Sequence, residues 1–424
     1  MKKIKKKKLK IGVFGAGRGF TMIRGLINNP DAELSAICDY YPPFEERAKK
    51  LIKQAGTDTV YYTDFEKFLQ HDFDAAVVAN YADEHAPYAV KLLKSGRHVM
   101  SEVLACRNMA EAVELIEAAE QSKKVYTYAE NYCFFRSTQE MKRLYAAGDI
   151  GEFTHGEGEY VHDLESIWPR ITYGDPKHWR NRMYATFYCT HSLGPIMTIT
   201  GTRPVKVWGF QGARSERMTE LGLRSAGHGM EIVEMNNKAT VKSLHGTLKR
   251  LPDAVWYSVY GTKGMMESDR FGELFHKINV YKENDARTPN EMSYIPRFPG
   301  DEKEAVAAGH GGSDYYTLHS FIDKILERPF GKHAIDVYTA VDMTITGILA
   351  YRSVCSANIP VTVPDLRNKK IRDQYRGDFW CASPAVPEEH RAPCYYPEEP
   401  VIPAAAYKKV AKEWERIKKG YLEL

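Results

Sequence analysis

The sequence predicts an α/β protein in which a doubly wound parallel sheet is followed by an α+β domain with an open, mostly antiparallel sheet. Apolar, β-prone runs alternate with helix-compatible segments up to about residue 131, which is typical of a parallel sheet. A glycine-rich turn follows the first of those runs. After about residue 150, longer β-prone runs follow one another with turns between them. A chain of 424 residues has the length for two such domains.

The first strand leads directly into the glycine turn. The apolar run 9–14 is followed by Gly15-Ala16-Gly17-Arg18-Gly19-Phe20 and then by a helix-compatible segment that ends near Asn29-Pro30. A second apolar run, 33–38, ends at Asp39, about twenty residues past Gly17. Strand, turn, helix, strand and acid thus occur in the order that a dinucleotide-binding βαβ unit requires.

The residue types in this unit suit a dinucleotide. Glycines let the backbone approach a pyrophosphate, and the helix N-terminus directs N–H groups at it. The Asp39 carboxylate would accept from ribose hydroxyls and repel a 2′-phosphate, so we expect NAD rather than NADP. The third glycine is Gly19, one position earlier than in a strict G-x-G-x-x-G pattern, so an ordinary strand–helix turn is the alternative. The residues expected to bind the cofactor here are Gly15, Gly17, Arg18, Gly19 and Asp39.

The alternation of strands and helices continues through the first domain. Asp64 and Asn108 are placed to cap helices that end at Leu69 and Ser122. A further helix is expected over 85–93, and strands are expected at 60–62, 74–80, 98–102 and 124–131.

The second half has a different pattern. Strands are expected at 153–162, 205–211, 239–247, 255–261 and 278–282, and two helices at 314–328 and 336–357. The proline-rich tail from about Pro364 predicts an extended segment with a short terminal helix. We therefore expect a dinucleotide-binding domain over 1–132, an α+β domain over 133–363 and a C-terminal extension over 364–424.

Composition excludes several classes of protein. The net charge is only +4, and much of it lies in a lysine run (Lys2, Lys3, Lys5 to Lys8) that is typical of a solvated terminus rather than a nucleic-acid or membrane site. No stretch reaches the roughly 18 apolar residues that a membrane span needs. The seven cysteines are scattered and form no C-x-x-C pair, which favours a reducing cytoplasm over a disulfide framework. We expect no metal site.

Several segments resemble the Gfo/Idh/MocA oxidoreductase family. They are Asn80-Tyr81-Ala82-Asp83-Glu84-His85-Ala86-Pro87, Gly96-Arg97-His98-Val99 and Gly261-Thr262-Lys263-Gly264. The resemblance runs from about residue 9 to about residue 360. It implies an N-terminal Rossmann domain followed by an open-faced α+β domain.

Two positions depart from the dehydrogenases of that family. In those enzymes the fifth strand ends in Glu-Lys-Pro, whose lysine helps to bind or ionise the substrate hydroxyl, whereas this chain has Glu102-Val103-Leu104. The family's His-x-x-Asp pair is also absent, because His191 is followed three residues later by Gly194.

The departures resemble the branch that contains NAD-dependent glycosidases such as α-N-acetylgalactosaminidases. Four of its segments occur here in order, namely Ala129-Glu130-Asn131, Tyr160-Val161-His162-Asp163-Leu164, Tyr188-Cys189-Thr190-His191-Ser192-Leu193-Gly194-Pro195 and His310-Gly311-Gly312-Ser313-Asp314. Leu104 and Cys189 replace prolines of that branch, which leaves the shape of the substrate site open.

The resemblance implies a tightly held NAD and no net redox change. A sugar hydroxyl, usually at carbon 3, is oxidised, and the ketone formed acidifies the proton at carbon 2. A base removes that proton, the glycosidic oxygen leaves, water adds, and the hydride returns. Both deprotonations need groups whose pKa lies near working pH, and histidine begins there.

Candidate residues follow from the matching segments. Tyr160 and His162 are two apart, so on a strand they share one face; by themselves they would be typical of packing, but the resemblance makes them a base and its proton partner. His191 is the second candidate acid or base. We expect Asn80, His85, Glu102, Val103 and Asn131 on the cofactor, and Glu130, Tyr188 and Arg180 on the sugar. A solvated strand end is the alternative for Glu130.

Two other functions remain open on the sequence. One is a net sugar or polyol dehydrogenase that releases NADH, and the other is a non-catalytic sensor of NAD or sugar. The expected ligand is a small carbohydrate or glycoside. An open sheet face needs covering, so we expect a homo-oligomer.

Overall fold

The computed structural model of the chain describes residues 7–27, 29–249, 253–270, 276–283, 289–298 and 302–423. Lys2, Lys3, Lys5 and Lys6 of the lysine run lie outside the described residues. The chain divides into two units, of which the first comprises Met1–Asn131, Asp301–Ala340 and Leu422–Leu424, and the second comprises Tyr132–Gly300 and Val341–Tyr421. The domain limits inferred from the sequence stay a prediction.

The N-terminal part of the first unit alternates strands and helices as the sequence predicts. Its elements are β1 (Leu9–Phe14), α1 (Phe20–Ile27), β2 (Ala32–Cys38), α2 (Pro42–Ala55), β3 (Val60–Tyr62), α3 (Phe65–Leu69), β4 (Ala75–Val78), α4 (His85–Lys94), β5 (His98–Ser101), α5 (Met109–Ser122) and β6 (Tyr126–Tyr128). Both predicted caps form, since Asp64 accepts from the Lys67 N–H and Asn108 from the Glu111 N–H, each at 2.9 Å.

The six strands form one parallel sheet in the order β3-β2-β1-β4-β5-β6. This arrangement confirms the doubly wound sheet. The order in which the strands are added reverses between β1 and β4. In such sheets ligands bind at the carboxyl ends of the strands beside that reversal. All the predicted cofactor residues follow the carboxyl end of a strand or lie in the turn or helix that comes next.

The rest of the chain adds nine strands and nine helices to the described structure. The elements are α6 (Arg136–Ala146), β7 (Phe153–Val161), α7 (Trp168–Thr172), α8 (Thr190–Thr200), β8 (Pro204–Gln211), α9 (Glu216–Leu221), β9 (His228–Met235), β10 (Thr240–Gly246), β11 (Ala254–Gly261), β12 (Gly264–Ser268), β13 (Ile278–Glu283), β14 (Pro289–Tyr294), α10 (Glu302–Val306), α11 (Ser313–Ile325), α12 (Val337–Cys355), β15 (Val361–Thr362), α13 (Lys369–Arg372) and α14 (Ala404–Glu423). No helix in the described part of the chain is long and apolar enough to cross a membrane.

The second unit is built on a nine-stranded sheet in the order β14-β13-β12-β11-β7-β10-β9-β8-β15. Every pair of neighbours is antiparallel except β7 and β10, which confirms a mostly antiparallel sheet. The sequence did not predict β9, β12, β14 and β15. Their short or charged segments form strands because neighbouring strands supply the hydrogen bonds, and that pairing is not a local property of the sequence.

Two glycines let α8 lie directly on the central strand β7. A Cβ at Gly158 would overlap the carbonyl group of Ser192, and a Cβ at Gly156 would lie 3.1 Å from Ile196 Cγ2. Alternate residues of a strand share a face, so Tyr160 lies on the same side as these glycines. The opposite face leaves Phe210 and Tyr260 each 37% exposed, and the expected homo-oligomer stays a prediction.

The C-terminal extension ends in a helix of 20 residues, so the expectation of a short terminal helix was wrong. Helix α14 packs within the second unit, where Val410 joins a cluster of Leu164, Trp168, Met218 and Leu223. Trp414 is 2% exposed, and its ring lies 5.3 Å from that of Tyr173. Burial of one apolar stripe explains the helix despite the many charges on its other side.

Candidate active site

The glycine turn of the first unit is shaped by close backbone contacts. Gly15 has φ +99°, in the left-handed region, and a Cβ at Gly17 would lie 2.7 Å from the Phe44 ring. A Cβ at Gly19 would overlap the Gly15 carbonyl oxygen and lie 2.8 Å from Val13 Cγ1. The side-chain-free position that closes the turn is therefore Gly19, and α1 begins at the next residue, Phe20. This accounts for the displaced third glycine.

Asp39 lies at the end of β2 and is tied to that turn. Its Oδ2 accepts from the Ala16 N–H at 2.7 Å and its Oδ1 from the Tyr41 N–H at 2.8 Å. Burial raises the pKa of Asp39, and these N–H groups oppose the rise. This is the position at which an acid that accepts from a ribose hydroxyl is expected. The structure therefore brings the predicted acid and the glycine turn together.

The His85 ring is buried and contacts neighbouring carbonyl groups rather than solvent. The ring is 1% exposed, with Nδ1 2.9 Å from the Leu104 carbonyl oxygen and Nε2 3.2 Å from that of Asn80. Burial lowers the pKa of His85 to about 4, so the ring is neutral at neutral pH. A neutral imidazole has one N–H and donates to only one of these two carbonyl oxygens. The ring lies between the loops that follow β4 and β5. Val103, in the second of these loops, is also buried.

Asn80 carries a buried acceptor at the same edge of the sheet. Its Nδ2 donates to Glu84 Oε2 at 3.3 Å. Its Oδ1 is buried and has no hydrogen-bond partner among the described residues. A buried acceptor without a donor is costly, so this atom suits a ligand that donates to it.

Asp314 joins three predicted cofactor residues of the first unit. Its Oδ1 accepts from Asn131 Nδ2 at 2.9 Å and lies 3.3 Å from an Arg18 guanidinium nitrogen. The same nitrogen lies 2.9 Å from Glu102 Oε1. His310 Nδ1 is 2.8 Å from Asp314 Oδ2. Asp314 was not among the predicted site residues, although the His-Gly-Gly-x-Asp segment contains it.

The two carboxyl groups in this cluster differ in charge. Burial raises the pKa of Glu102 to about 7, against the opposing effect of Arg18. Burial acts in the same direction on Asp314, but Arg18 and His310 together hold the pKa of Asp314 well below its usual range. Asp314 is therefore ionised, whereas Glu102 can exchange a proton near neutral pH.

Glu130, at the end of β6, is 0% exposed, so the alternative of a solvated strand end was wrong.

The second unit gathers the predicted catalytic rings around the N-terminus of α8. The Tyr160 ring centroid lies 6.0 Å from that of His162 and 4.7 Å from that of His191. Tyr188 lies 5.1 Å from His191 and 6.3 Å from Tyr160. Tyr132, which sequence reasoning missed, stacks on His191 at 4.5 Å. Tyrosine and histidine rings at these distances can exchange protons with one small ligand.

His162 is held next to a carboxylate. Its Nδ1 lies 3.2 Å from Asp253 Oδ2, an ion-pair distance without hydrogen-bond geometry. Burial lowers the pKa of His162, although Asp253 opposes that effect. The imidazole is therefore neutral near neutral pH, the state that a general base requires.

Arg180 presents a cation beside these rings. A guanidinium nitrogen donates to the Tyr188 hydroxyl at 3.3 Å, and its Cζ lies 5.0 Å from the Tyr188 ring and 4.6 Å from the Trp179 ring. Burial, reinforced by Arg180, lowers the pKa of the neighbouring His178 to about 3. Trp168, unlike Trp179, does not lie against Arg180; it is buried in the cluster that Val410 of α14 joins.

The backbone of α8 is fixed from the sheet. The Tyr257 hydroxyl donates to the His191 carbonyl oxygen at 2.7 Å. Ser192 Oγ lies 2.8 Å from Ser243 Oγ, which donates to Glu231 Oε2 at 2.7 Å. These buried partners position His191 and were not predicted.

Among the described residues, no group of three or more His, Cys, Asp or Glu side chains could hold a metal ion.

Comparison with known proteins identifies both domains. Residues 9–130 match the Gfo/Idh/MocA oxidoreductase family, NAD-binding Rossmann fold. Residues 211–373 match the glycosyl hydrolase 109 C-terminal domain. The resemblance inferred from the sequence and the NAD-binding domain are thereby confirmed.

Two relatives that the chain matches over most of their length have glycosidase names. A glycosyl hydrolase family 109 protein of Stenotrophomonas maltophilia is 22% identical over 413 residues, covering 85% of this chain and 89% of that protein. An alpha-N-acetylgalactosaminidase of Shewanella oneidensis is 23% identical over 406 residues, covering 84% of each. The structure of scyllo-inositol dehydrogenase from Lactobacillus casei with NAD(H) and scyllo-inositol has a TM-score of 0.64 at 19% identity, covering 85% of this chain and all of that one. This last likeness shows the fold.

Proposed function

Because this chain joins an N-terminal domain of the Gfo/Idh/MocA oxidoreductase family to a C-terminal domain of glycosyl hydrolase family 109, we propose that it is an NAD-dependent glycoside hydrolase. The observation that carries the proposal is the set of tyrosine and histidine rings around Tyr160, with His191 at 4.7 Å and His162 at 6.0 Å. The reaction has no net redox change, so its sum is the hydrolysis of a glycosidic bond by water.

The residues of the first unit fit NAD. The side-chain-free turn at Gly15, Gly17 and Gly19 would let a pyrophosphate come close to the backbone at the start of α1. Asp39 lies beside this turn, where a carboxylate could accept from the ribose, and Asn80 Oδ1 lacks a donor among the described residues. When bound, NAD supplies the acceptor, and later the donor, of a hydride at one sugar carbon.

Proton transfers are assigned to the second unit. Tyr160 takes the proton of the hydroxyl that becomes a ketone, with His162 as its neutral proton partner. His191 takes the proton at carbon 2, which the adjacent ketone has acidified, and the electron pair of that C–H bond expels the glycosidic oxygen. A proton returned to that oxygen completes its departure. Water then adds at carbon 1 and loses one proton. The three protons taken from the hydroxyl, from carbon 2 and from water equal the three delivered to the leaving oxygen, to carbon 2 and to the restored hydroxyl.

Arg180, Tyr188 and Glu130 are assigned to sugar recognition. A guanidinium beside a tyrosine hydroxyl offers several donors to sugar oxygens. Val103 stands where a sugar dehydrogenase of this family has lysine, so no ammonium group is available there to stabilise an alkoxide. This substitution favours transient oxidation with proton transfer by rings over a net dehydrogenase.

The experiment is to incubate the purified protein, without added NAD, with α- and β-nitrophenyl glycosides in water and in deuterated water. We expect release of nitrophenol, deuterium at carbon 2 of the sugar and no accumulated NADH. No nitrophenol release, together with NADH formation in a second incubation with free sugars and added NAD, would mean a dehydrogenase. Neither product, with NAD bound, would favour a sensor.

A variant separates catalysis from folding. Tyr160→Phe combined with His162→Ala should abolish nitrophenol release while the bound NAD is retained, because both residues belong to the second unit. Tyr260→Phe is the control, since this tyrosine is 37% exposed and on the opposite face of the same sheet. Full activity in the double variant would exclude these residues as bases.

A further inference from the structure

Asp314 ties together segments that are far apart in the first unit. Through Arg18 it is bound to the glycine turn, and through Asn131 to the chain after β6. Its own helix, α11, begins at the preceding residue, and His310 binds its second oxygen at 2.8 Å. The Asp314 side chain is 1% exposed, whereas those of Arg18 and His310 are 34% and 43% exposed. Salt therefore screens these contacts less than it screens an ion pair at the surface.

The glycines before Asp314 are required by this arrangement. A Cβ at Gly309 would lie 2.6 Å from Asp314 Oδ2. Gly311 and Gly312 have φ values of +59° and +98°, which residues other than glycine rarely adopt. The segment is therefore shaped to deliver one carboxylate to the glycine turn, which a simple linker would not need.

Arg18 is held by protein carboxylates. The sequence predicts that it lies along the cofactor phosphates, whereas its guanidinium nitrogen is 2.9 Å from Glu102 and 3.3 Å from Asp314. A cation so paired contributes little net charge to a pyrophosphate. Its stronger effect is mechanical, because hydrogen bonds between charged groups resist the separation of the loops that they join.

We propose that Asp314 is a positioning residue that slows the release of NAD by fixing the glycine turn through Arg18 and the end of β6 through Asn131. The inference rests on the proposed function only in taking NAD as the bound cofactor. Loops at binding sites open locally with low free energy, so one shared carboxylate that links two of them controls how often they open. A cofactor that is restored in every cycle benefits from this retention.

The test measures NAD exchange without any sugar. Full-length protein is loaded with radiolabelled NAD, and the loss of label is followed after addition of excess unlabelled NAD. Asp314→Asn keeps the shape of the side chain but removes its charge, and we expect release at least about tenfold faster than from the wild type. Less NAD should also remain bound through purification.

The matched control is Asp323→Asn. Asp323 is also buried on α11, but it pairs with Arg328 and His319 at 3.4 Å each, away from the glycine turn. Its variant should release NAD at the wild-type rate. Equal rates in both variants, or a wild type that releases NAD as fast as Asp314→Asn, would overturn the proposal.

Substitutions at Arg18 test the same link from the other side and replace Asp314→Asn if that variant does not fold. Arg18→Gln should accelerate release, and Arg18→Lys, which keeps the charge, should restore part of the retention. A merely structural defect would not distinguish lysine from glutamine in this way. Absence of glycoside hydrolysis in the wild type would refute the hydrolase but leave the exchange result intact.

Discussion

Replacing Gly158 with alanine should displace α8 from β7 and separate His191 from Tyr160. A Cβ at Gly158 would lie 2.8 Å from the Ser192 carbonyl carbon, and closer still to its oxygen. Carbon atoms in contact lie about 3.5–4.0 Å apart, so the helix backbone must move by about 1 Å. The obstacle is backbone, which cannot turn aside as a side chain can.

The expected magnitude follows from that shift. Misplacement of a reacting group by about 1 Å costs on the order of a hundredfold in rate. Overpacking of this kind also lowers the free energy of unfolding by about 1–3 kcal/mol. The assay is the turnover of nitrophenyl glycoside by wild type and Gly158→Ala, with urea unfolding of both. NAD content should not change, because α8 and β7 belong to the second unit.

Gly156→Ala provides the matched control on the same strand and face. Its Cβ would meet the side chains of Ile196 at 3.1 Å and Phe153 at 3.3 Å, both of which can move by a few tenths of an ångström. We expect its activity to stay close to that of the wild type. Equal activity in the two variants would refute the reasoning that the contact at Gly158 sets the position of His191.

Two further predictions concern stability. Trp414→Ala should lower the free energy of unfolding by about 3–5 kcal/mol, because it empties the buried contact between α14 and Tyr173. Lys412→Ala, on the exposed side of α14, should change the free energy of unfolding little. Urea unfolding measures both variants, and equal losses would refute the packing of α14. Burial lowers the pKa of His85 from 6.5 to about 4, so between these values the unfolded chain binds a proton that the folded chain does not, and stability falls as the pH falls. Acidification from pH 7 to pH 5 should therefore cost the wild type about 2 kcal/mol more than His85→Gln, and equal losses in urea unfolding would contradict a neutral buried ring.

Local signals in the sequence were sufficient for the first sheet. A strand of apolar residues, a glycine turn and a capped helix are each set by neighbours within a few residues, so β1, the turn after it and the caps at Asp64 and Asn108 were predicted correctly. Gly19 illustrates the limit of a motif. Its fit depends on the carbonyl of Gly15 and on Val13, which a spacing rule does not describe.

The second unit was less predictable because its strands depend on pairing. Strand β9 contains a buried glutamate, Glu231, whose carboxylate accepts a hydrogen bond from the Ser243 hydroxyl and lies 2.8 Å from His245 Nε2, both on the adjacent strand β10. The helix α6 and the length of α14 were missed for a similar reason, since the apolar residues of both elements are sparse. Burial against other elements stabilises such helices more than their own propensity does.

The sequence by itself predicted which residues carry chemistry: the glycines and Asp39 of the first βαβ unit, and Tyr160, His162, Tyr188 and His191 of the second domain. The tertiary structure alone decided which of them lie close together. Arg18 and Asp314 are 296 positions apart, yet they share a hydrogen bond, and the rings of Tyr132 and His191 stack although they lie on separate segments. Contacts between distant segments depend on how whole elements pack, and no pattern within one stretch of sequence encodes that packing.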